Sequence, residues 1–397
     1  MRLEIRRRMT EGSVPRVLVA DDQVDVVVAL RLLLRNAGLE VDPATSVQEV
    51  RQRLGSQEYD LVLMDLNYAR DTTSGREGLD LLAEIHARDR LLPVIVMTGW
   101  GSIETAVEAM RRGARTFVHK PWDNQALAET VRKEIEDGLA LRRAESLAST
   151  EQADAQAIQR SLLPAALPVL PGCDLAARWE PAKAFGGDCY DAVRLTDTHL
   201  AISIADVCGK GLPAALLMSN LMASLRAFTA VGRAPRDVVT STNRALCRNS
   251  DLRRFVTLFY AVYNTGTRLL TYTNAGHNPP IVARRDGSIE RLTTGGMVTG
   301  IFEDTGYQES GVTLEPGDRL VLFTDGITEA RASSGAEFED EGLLDVVARH
   351  RSGNVQSLIG AIFDEVGSFA GGRLQDDSTV LAIAIESPSR GRTDASH

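Results

Sequence analysis

A stretch of about 40 residues without proline, between Asp123 and Pro164, separates two different hydrophobic patterns. Alanine, glutamate, arginine and leucine dominate this stretch, and its apolar residues form a rough helical stripe, which predicts one long helix. At 1.5 Å per residue such a helix would span roughly 60 Å. Three prolines at positions 164, 168 and 171 end it. The chain should therefore form two domains joined by a helix.

The length and charge of the chain agree with this division. Its 397 residues exceed what a single hydrophobic core usually organises, and 44% hydrophobic with 25% charged residues is typical of globular domains. A formal net charge of -10 argues against a broad surface for nucleic acids. We expect no nucleic-acid ligand.

The four cysteines lack the spacing of a zinc site or a disulfide framework. No apolar run approaches the roughly 18 residues of a membrane helix, and the basic N-terminus is not followed by a signal-peptide core. These features predict a soluble cytoplasmic protein with reduced thiols and no membrane contact.

Short β-rich runs alternate with amphipathic helical patterns in the first domain, residues 14–124. This alternation is typical of βαβ units around a parallel sheet. Gly38 and Gly113 stand where helix C-caps belong. We expect an open α/β domain.

Three carboxylates follow strands of this domain: Asp21 and Asp22 follow the first run, and Asp65 ends another. The carboxyl ends of parallel strands are where open sheets bind ligands. Clustered carboxylates repel one another unless a hard cation such as Mg²⁺ joins them. Thr98 and Lys120 end two later runs and add a hydroxyl and an ammonium group. Together these side chains could bind a phosphoryl group on Asp65.

This domain resembles the receiver domain of bacterial two-component response regulators. The resemblance implies a doubly wound five-stranded parallel sheet, phosphorylation of Asp65 by a histidine kinase, and an often cis Lys120-Pro121 bond. One Mg²⁺ would be held by Asp21, Asp22, Asp65 and Asn67. The switch hydroxyl, the switch aromatic and the phosphate-binding lysine would be Thr98, Phe117 and Lys120. The loop after Asp65 is longer than is usual in the family and lacks its proline, which alters the surface near this site. The alternative is a degenerate receiver that takes no phosphate.

The second domain, residues 165–386, has a different pattern. Alternating strands are joined by Asn-Thr-Gly and Asp-Gly turns, with two or three helices between them. This favours antiparallel sheet. The last residues, 387–397, have the composition of a disordered tail.

Four acidic motifs lie next to strands of the second domain. Their aspartates are Asp188, Asp206, Asp325 and the pair Asp376 and Asp377. Any one alone could be a turn residue. As a set without accompanying histidines, they favour two Mg²⁺ or Mn²⁺ ions over zinc. Two such ions can activate a water for hydrolysis of a phosphate monoester.

The order of these motifs resembles the 2C-type metal-dependent protein phosphatases, in the branch of sporulation stage II protein E and RsbU-like enzymes. The resemblance covers residues 157–386 and includes the stretches QRSLLPAALP, NAGHNPP, FTDGITEA and DDST. It implies an α+β domain, an antiparallel β-sandwich flanked by helices, that acts on phosphoserine or phosphothreonine. The implied metal ligands are Asp206 for both ions, Asp188 and the Val207 carbonyl for one, and Asp325 and Asp376 for the other. Asp377 would hold the loop, and His277 would be structural rather than a general acid.

The combined prediction is a receiver that controls a phosphatase. A histidine kinase would phosphorylate Asp65, the helix at residues 125–164 would transmit the change, and the substrate would be an anti-anti-sigma protein of the STAS type. That helix could be a solvated spacer or could pair in a coiled-coil homodimer, which we favour.

The alternative function is an adaptor whose phosphatase-like domain only binds a partner. A DNA-binding response regulator lacks support, since no helix-turn-helix pattern follows the receiver.

Overall fold

The computed structural model describes residues 14–68, 76–99, 103–249, 254–372 and 374–386. The predicted disordered tail and most of the long loop after Asp65 lie outside these residues. The chain divides into two compact units between Glu151 and Gln152. No helix in the described ranges combines the length and the apolar character needed to cross a membrane.

The N-terminal unit contains five strands: β1 (Arg16–Ala20), β2 (Glu40–Ala44), β3 (Leu61–Asp65), β4 (Val94–Thr98) and β5 (Thr116–His119). They form a parallel sheet with the order β2-β1-β3-β4-β5. The helices between them are α1 (Val24–Asn36), α2 (Val47–Ser56), α3 (Arg76–Arg88) and α4 (Ile103–Arg111). The strand order reverses between β1 and β3, which makes their carboxyl ends the expected ligand site. The predicted doubly wound α/β fold is confirmed.

Local signals explain where the helices of this unit begin and end. Ser46 caps α2 by accepting a hydrogen bond from the Glu49 backbone N–H at 3.2 Å, while the Glu49 carboxylate accepts from Thr45 N–H at 2.8 Å. Gly38 and Gly113 have φ of 84° and 107° after α1 and α4, a conformation that favours glycine.

Helix α5 (Asn124–Leu162) is the predicted long helix. In its first half, Leu127, Val131 and Ile135 are buried in a core with residues of β1, β3 and β4. Leu147 and Ile158 are both 65% exposed. The apolar stripe therefore splits, because its first turns pack inside the N-terminal unit and are unavailable to a second helix.

The C-terminal unit contains two sheets that are antiparallel except for one short parallel pair of strands. The six-stranded sheet contains β7 (Cys189–Arg194), β8 (His199–Val207), β9 (Val256–Asn264), β10 (Leu269–Ala275), β13 (Gly295–Gly296) and β14 (Ser310–Thr313). The five-stranded sheet contains β6 (Cys173–Glu180), β11 (Ile281–Ala283), β12 (Ile289–Arg291), β15 (Arg319–Phe323) and β16 (Ser378–Ile385).

Apolar side chains of both sheets share one core, in which Phe259 and Tyr263 meet Leu322 and Leu381. Helices cover the outer faces of the two sheets. They are α6 (Leu212–Phe228) and α7 (Pro235–Asn249) on the six-stranded sheet, and α8 (Asp325–Thr328), α9 (Glu339–Arg349) and α10 (Val355–Phe369) on the other. The predicted antiparallel sandwich flanked by helices is confirmed.

Candidate functional site

The carboxylates of Asp21, Asp22 and Asp65 meet at the carboxyl ends of β1 and β3. One oxygen from each lies within 4.8 Å of the others. Lys120, which follows β5, places Nζ 2.5 Å from Asp21 Oδ2 and 2.8 Å from Asp65 Oδ2. Three clustered carboxylates suit a divalent cation that prefers oxygen ligands.

Burial and charge act in opposite directions on these groups. Burial raises the pKa of Asp21 above its usual value, against the hydrogen bond from Lys120. Burial alone would lower the pKa of Lys120, but its hydrogen bonds to Asp21 and Asp65 outweigh burial and raise that pKa. Lys120 therefore carries a positive charge between two carboxylates at neutral pH.

The other predicted receiver residues lie around this cluster. Thr98 is the last residue of β4, which pairs with β3. In this pair, Asp65 of β3 lies opposite Met97 of β4. The Thr98 hydroxyl is buried and lies 3.5 Å from His119 Nδ1. The Phe117 ring is 41% exposed, and its edge contacts His119. The Lys120-Pro121 bond is cis, and Asn67 is exposed.

The second site is built around Asp188, which directly precedes β7 and is 1% exposed. Its Oδ2 accepts hydrogen bonds from the hydroxyls of Thr324 at 2.6 Å and Thr379 at 2.7 Å. Thr324 directly precedes Asp325, and Thr379 lies two residues after Asp377. Three acidic motifs, each at the end of a strand, therefore converge on the Asp188 carboxylate. Burial and the charge of Asp206 raise the pKa of Asp188 well above its usual value.

Asp206 and Asp325 continue this acidic centre. Asp206 lies in β8, opposite Thr257 of β9. Burial raises the pKa of Asp206, against a hydrogen bond with Asp188 that lowers it. Burial and the charge of Asp206 raise the pKa of Asp325, the first residue of α8, to about 7. Carboxylates that oppose one another's ionisation in this way fit divalent cations.

Spacing distinguishes the two acidic sites. Across the described ranges, three carboxylate oxygens lie within 4.8 Å of one another in the N-terminal unit, but not in the C-terminal unit.

Asp376 and Asp377 have different partners. Asp377 accepts hydrogen bonds from the backbone N–H of Ala182 at 2.8 Å and of Gly187 at 2.6 Å, and so ties the loop that carries Asp188. Asp376 Oδ2 lies 2.7 Å from Lys210 Nζ.

Two glycines of these motifs are required by close backbone approach. A Cβ on Gly187 would lie 2.8 Å from the Val207 carbonyl oxygen, and a Cβ on Gly326 would lie 2.0 Å from the Asp377 carbonyl oxygen. The Val207 carbonyl therefore lies beside the residue that precedes Asp188.

His277 is buried in the turn after β10. Its Nδ1 lies 2.9 Å from the Thr257 hydroxyl, and its backbone N–H donates to Asn274 Oδ1 at 2.8 Å. Burial lowers the pKa of His277 to about 4, so the imidazole is neutral near pH 7.

Some residues of this centre were missed from the sequence. Thr324 and Thr379 stand inside the motifs, where their hydroxyls next to aspartates were the available signal. Gln159 of α5 is 4% exposed, and its Nε2 donates to the Gly186 carbonyl at 2.6 Å. Its position in the stretch QRSLLPAALP gave no indication of this contact.

Two families match the chain over separate ranges. The response regulator receiver domain matches residues 17–132, and the Stage II sporulation protein E (SpoIIE) family matches residues 196–386. The two ranges contain the two carboxylate clusters, apart from Asp188.

Relatives with either half are known. Phosphoserine phosphatase RsbU of Bacillus subtilis is 34% identical over 227 residues, which cover 57% of this chain and 67% of RsbU. Transcriptional regulatory protein ZraR of Escherichia coli K12 is 36% identical over 127 residues, which cover 32% of this chain and 27% of ZraR.

A solved structure shows the fold of the C-terminal unit. The SiaA-PP2C domain of Pseudomonas aeruginosa superposes with a TM-score of 0.54 at 23% identity, covering 61% of this chain and 99% of that domain. The predicted family is confirmed by these matches. The chain belongs to the RsbU-like, 2C-type protein serine/threonine phosphatases of the stage II sporulation protein E family, and its phosphatase domain follows a response regulator receiver domain.

Proposed function

We propose that this chain is a response regulator whose output is the removal of phosphate from phosphoserine or phosphothreonine on a protein, gated by phosphorylation of Asp65. The observation that carries the proposal is the convergence of three strand ends on Asp188, with Asp206 and Asp325 beside it. The family is metal-dependent, and this donor set of carboxylates without histidine fits Mn²⁺ or Mg²⁺.

The residues that would hold two ions are divided between two positions. Asp206 would contribute to both; Asp188 and the Val207 carbonyl would complete one, and Asp325 and Asp376 the other. Bound there, the ions would supply an activated water for attack on the phosphorus atom.

The protein itself supplies the rigidity of this centre. The Thr324 and Thr379 hydroxyls fix the orientation of the Asp188 carboxylate. Asp377 fixes the loop before Asp188 through Ala182 and Gly187. Held ligands need little reorganisation during the reaction, which favours catalysis.

In the receiver, Asp65 would accept the phosphoryl group from a histidine kinase. Asp21, Asp22, Asp65 and Asn67 would hold one Mg²⁺. Lys120, now between two carboxylates, would then contact the phosphoryl oxygens, and Thr98 and Phe117 would respond as the switch residues. A phosphoryl group adds about 1.5 to 2 negative charges at one sheet edge, enough to bias a two-state element.

For the substrate we propose a phosphorylated anti-anti-sigma protein of the STAS type. The support is the likeness to RsbU, which is named a phosphoserine phosphatase. We also propose a homodimer through the exposed part of α5, where Leu147 and Ile158 are uncovered.

The test is the rate of dephosphorylation of a phosphorylated STAS protein, with and without phosphorylation of Asp65. We expect Mn²⁺-dependent release of phosphate at a rate that changes when Asp65 is phosphorylated. An aryl phosphate assay with and without Mn²⁺ distinguishes the adaptor alternative, because an adaptor hydrolyses neither substrate.

A further inference from the structure

Two cations meet at the turn between β8 and α6, the turn that follows Asp206. Lys210 belongs to this turn, and Arg254, shortly before β9, packs against it. None of the metal or loop roles proposed above uses either residue.

Lys210 is held by the last acidic motif. Its Nζ lies 2.7 Å from Asp376 Oδ2 and 3.0 Å from the Gln375 carbonyl oxygen. The side chains of Lys210 and Asp376 are 39% and 42% exposed. Ion pairs this open to water are weak, so Lys210 can exchange Asp376 for another anion.

Arg254, two residues before β9, contacts the same turn. Its Nη1 donates to the Cys208 carbonyl at 3.4 Å, and a Cβ on Gly209 would lie 2.5 Å from that nitrogen. Among the residues that the structure describes, no ion pair includes Arg254. A guanidinium group without a carboxylate partner can bind two oxygens of a phosphate.

The net charge of the acidic centre with its two ions indicates a role for these cations. Its five aspartates would offset the charge of two divalent ions, so the ions alone leave little attraction for a phosphate dianion. The five are Asp188, Asp206, Asp325, Asp376 and Asp377. Lys210 supplies a further positive charge beside Asp376, and Arg254 supplies a second one on the turn that carries Lys210.

We propose that Lys210 and Arg254 bind the phosphoryl oxygens of the substrate at the phosphatase site. Lys210 leaves Asp376 for a phosphoryl oxygen, and Arg254 binds from the opposite side of the turn. This inference rests on the proposed function in that it places the phosphoryl group at the same centre. It defines the recognised group as a phosphate dianion.

The experiment compares the full-length protein with Lys210→Met, Arg254→Met and Arg254→Lys. Lys133→Met, an exposed lysine of α5, is the matched control. Binding of inorganic phosphate in the presence of Mn²⁺ is measured by calorimetry, together with binding of Mn²⁺ alone and the KM and kcat for an aryl phosphate. Circular dichroism checks the fold of each variant.

We expect Lys210→Met and Arg254→Met each to weaken phosphate binding and raise KM by about tenfold, as for loss of one charge-assisted hydrogen bond. Mn²⁺ affinity should not fall, and Arg254→Lys should recover part of the loss. Unchanged phosphate affinity in both Met variants would overturn the proposal. So would a loss of phosphate binding that merely follows a loss of Mn²⁺ binding. Because phosphate binding is measured without turnover, an inactive wild-type protein would count against the proposed function alone.

Discussion

Asp188 shows how single residues set the chemistry of the phosphatase centre. It is buried, and its hydrogen-bond partners among the described residues are the hydroxyls of Thr324 and Thr379 and the Asp206 carboxyl group rather than cations. A carboxylate in this setting resists ionisation, so it is poised to take a cation as its counter-charge. Asp206 and Asp325 share this property, with raised pKa values that burial dominates.

Asp206→Asn should abolish Mn²⁺-dependent hydrolysis while leaving the fold intact, because the proposed bridging ligand loses its charge but keeps its shape. The rate should fall by more than about 100-fold, the upper end of what loss of an outer-shell partner costs a metal site. Aryl phosphate hydrolysis measures the rate, and Asp197→Asn, an exposed aspartate, is the control. Retained activity in Asp206→Asn would contradict the metal assignment.

His277 should make the stability of the protein depend on pH. Its pKa is about 4 in the folded protein and near 6.5 in the unfolded chain, so the unfolded chain binds the proton more tightly. The stabilisation is fully present above pH 6.5 and is lost as the pH falls towards 4, by roughly 3 kcal/mol.

Urea unfolding between pH 4 and 8 in the presence of a chelator measures this effect. His277→Asn should be less stable throughout but should lack this part of the pH slope. Parallel curves for the wild type and the variant would count against a buried neutral His277.

At the scale of elements, strand ends and short turns bring the acidic motifs together. The first turn of α8 lies against the start of β16, where Gly326 meets the Asp377 carbonyl. The environment also changes along α5: its first turns belong to the receiver core, whereas Leu147 and Ile158 are exposed and Gln159 is buried.

Gly326→Ala should destabilise the phosphatase unit by about 1–3 kcal/mol, since its Cβ would overlap the Asp377 carbonyl oxygen. Gly360→Ala is the matched control in α10, where no atom lies within 4 Å of the added Cβ. That change should stabilise the helix by up to about 1 kcal/mol. Urea unfolding of both variants gives the comparison, and equal stabilities would show that the turn tolerates a side chain.

Leu127→Ala and Leu147→Ala separate the two parts of α5. Leu127 is 1% exposed, so its truncation should cost the receiver unit about 2–5 kcal/mol. Leu147 is 65% exposed, and its truncation should change stability by less than about 0.5 kcal/mol. If α5 pairs in a dimer, sedimentation at several concentrations should show weaker association for Leu147→Ala. A wild-type protein that sediments as a monomer throughout would exclude this pairing.

At the scale of the whole molecule, the proposed phosphoacceptor site and the proposed phosphatase centre lie in separate compact units of one chain. Each unit has its own cores, and α5 contributes residues to both. A change of charge in one unit can alter the activity of the other only if it changes the free-energy difference between two states of the chain.

Phosphorylation of Asp65 should therefore change the phosphatase rate by at least about fivefold, the lower end of typical coupling between sites. The measurement is aryl phosphate hydrolysis before and after treatment with phosphoramidate as a small phosphodonor. Asp65→Asn, which keeps the shape of the side chain, should not respond. An equal response in that variant would place the effect outside the receiver.

Local features of the sequence determined the two fold classes, the long helix and the positions of the acidic motifs. The change of hydrophobic period predicted both fold classes, because period 2 and period 3.6 place apolar side chains on one face of a strand or a helix. The long helix followed from the absence of proline between residues 123 and 164. The aspartates stood in motifs beside strands, where chain order alone placed them at sheet ends.

Tertiary structure decided which partners these residues have. Thr324 and Thr379 donate to Asp188 across 136 and 191 residues of sequence, and Lys210 reaches the motif that contains Asp376. The sequence determined the parallel and antiparallel sheet classes of the two domains, the long helix and the set of acidic motifs, because hydrophobic period and turn chemistry act over a few residues. Which hydroxyl holds which carboxylate, and which half of α5 is buried, depends on how distant segments pack.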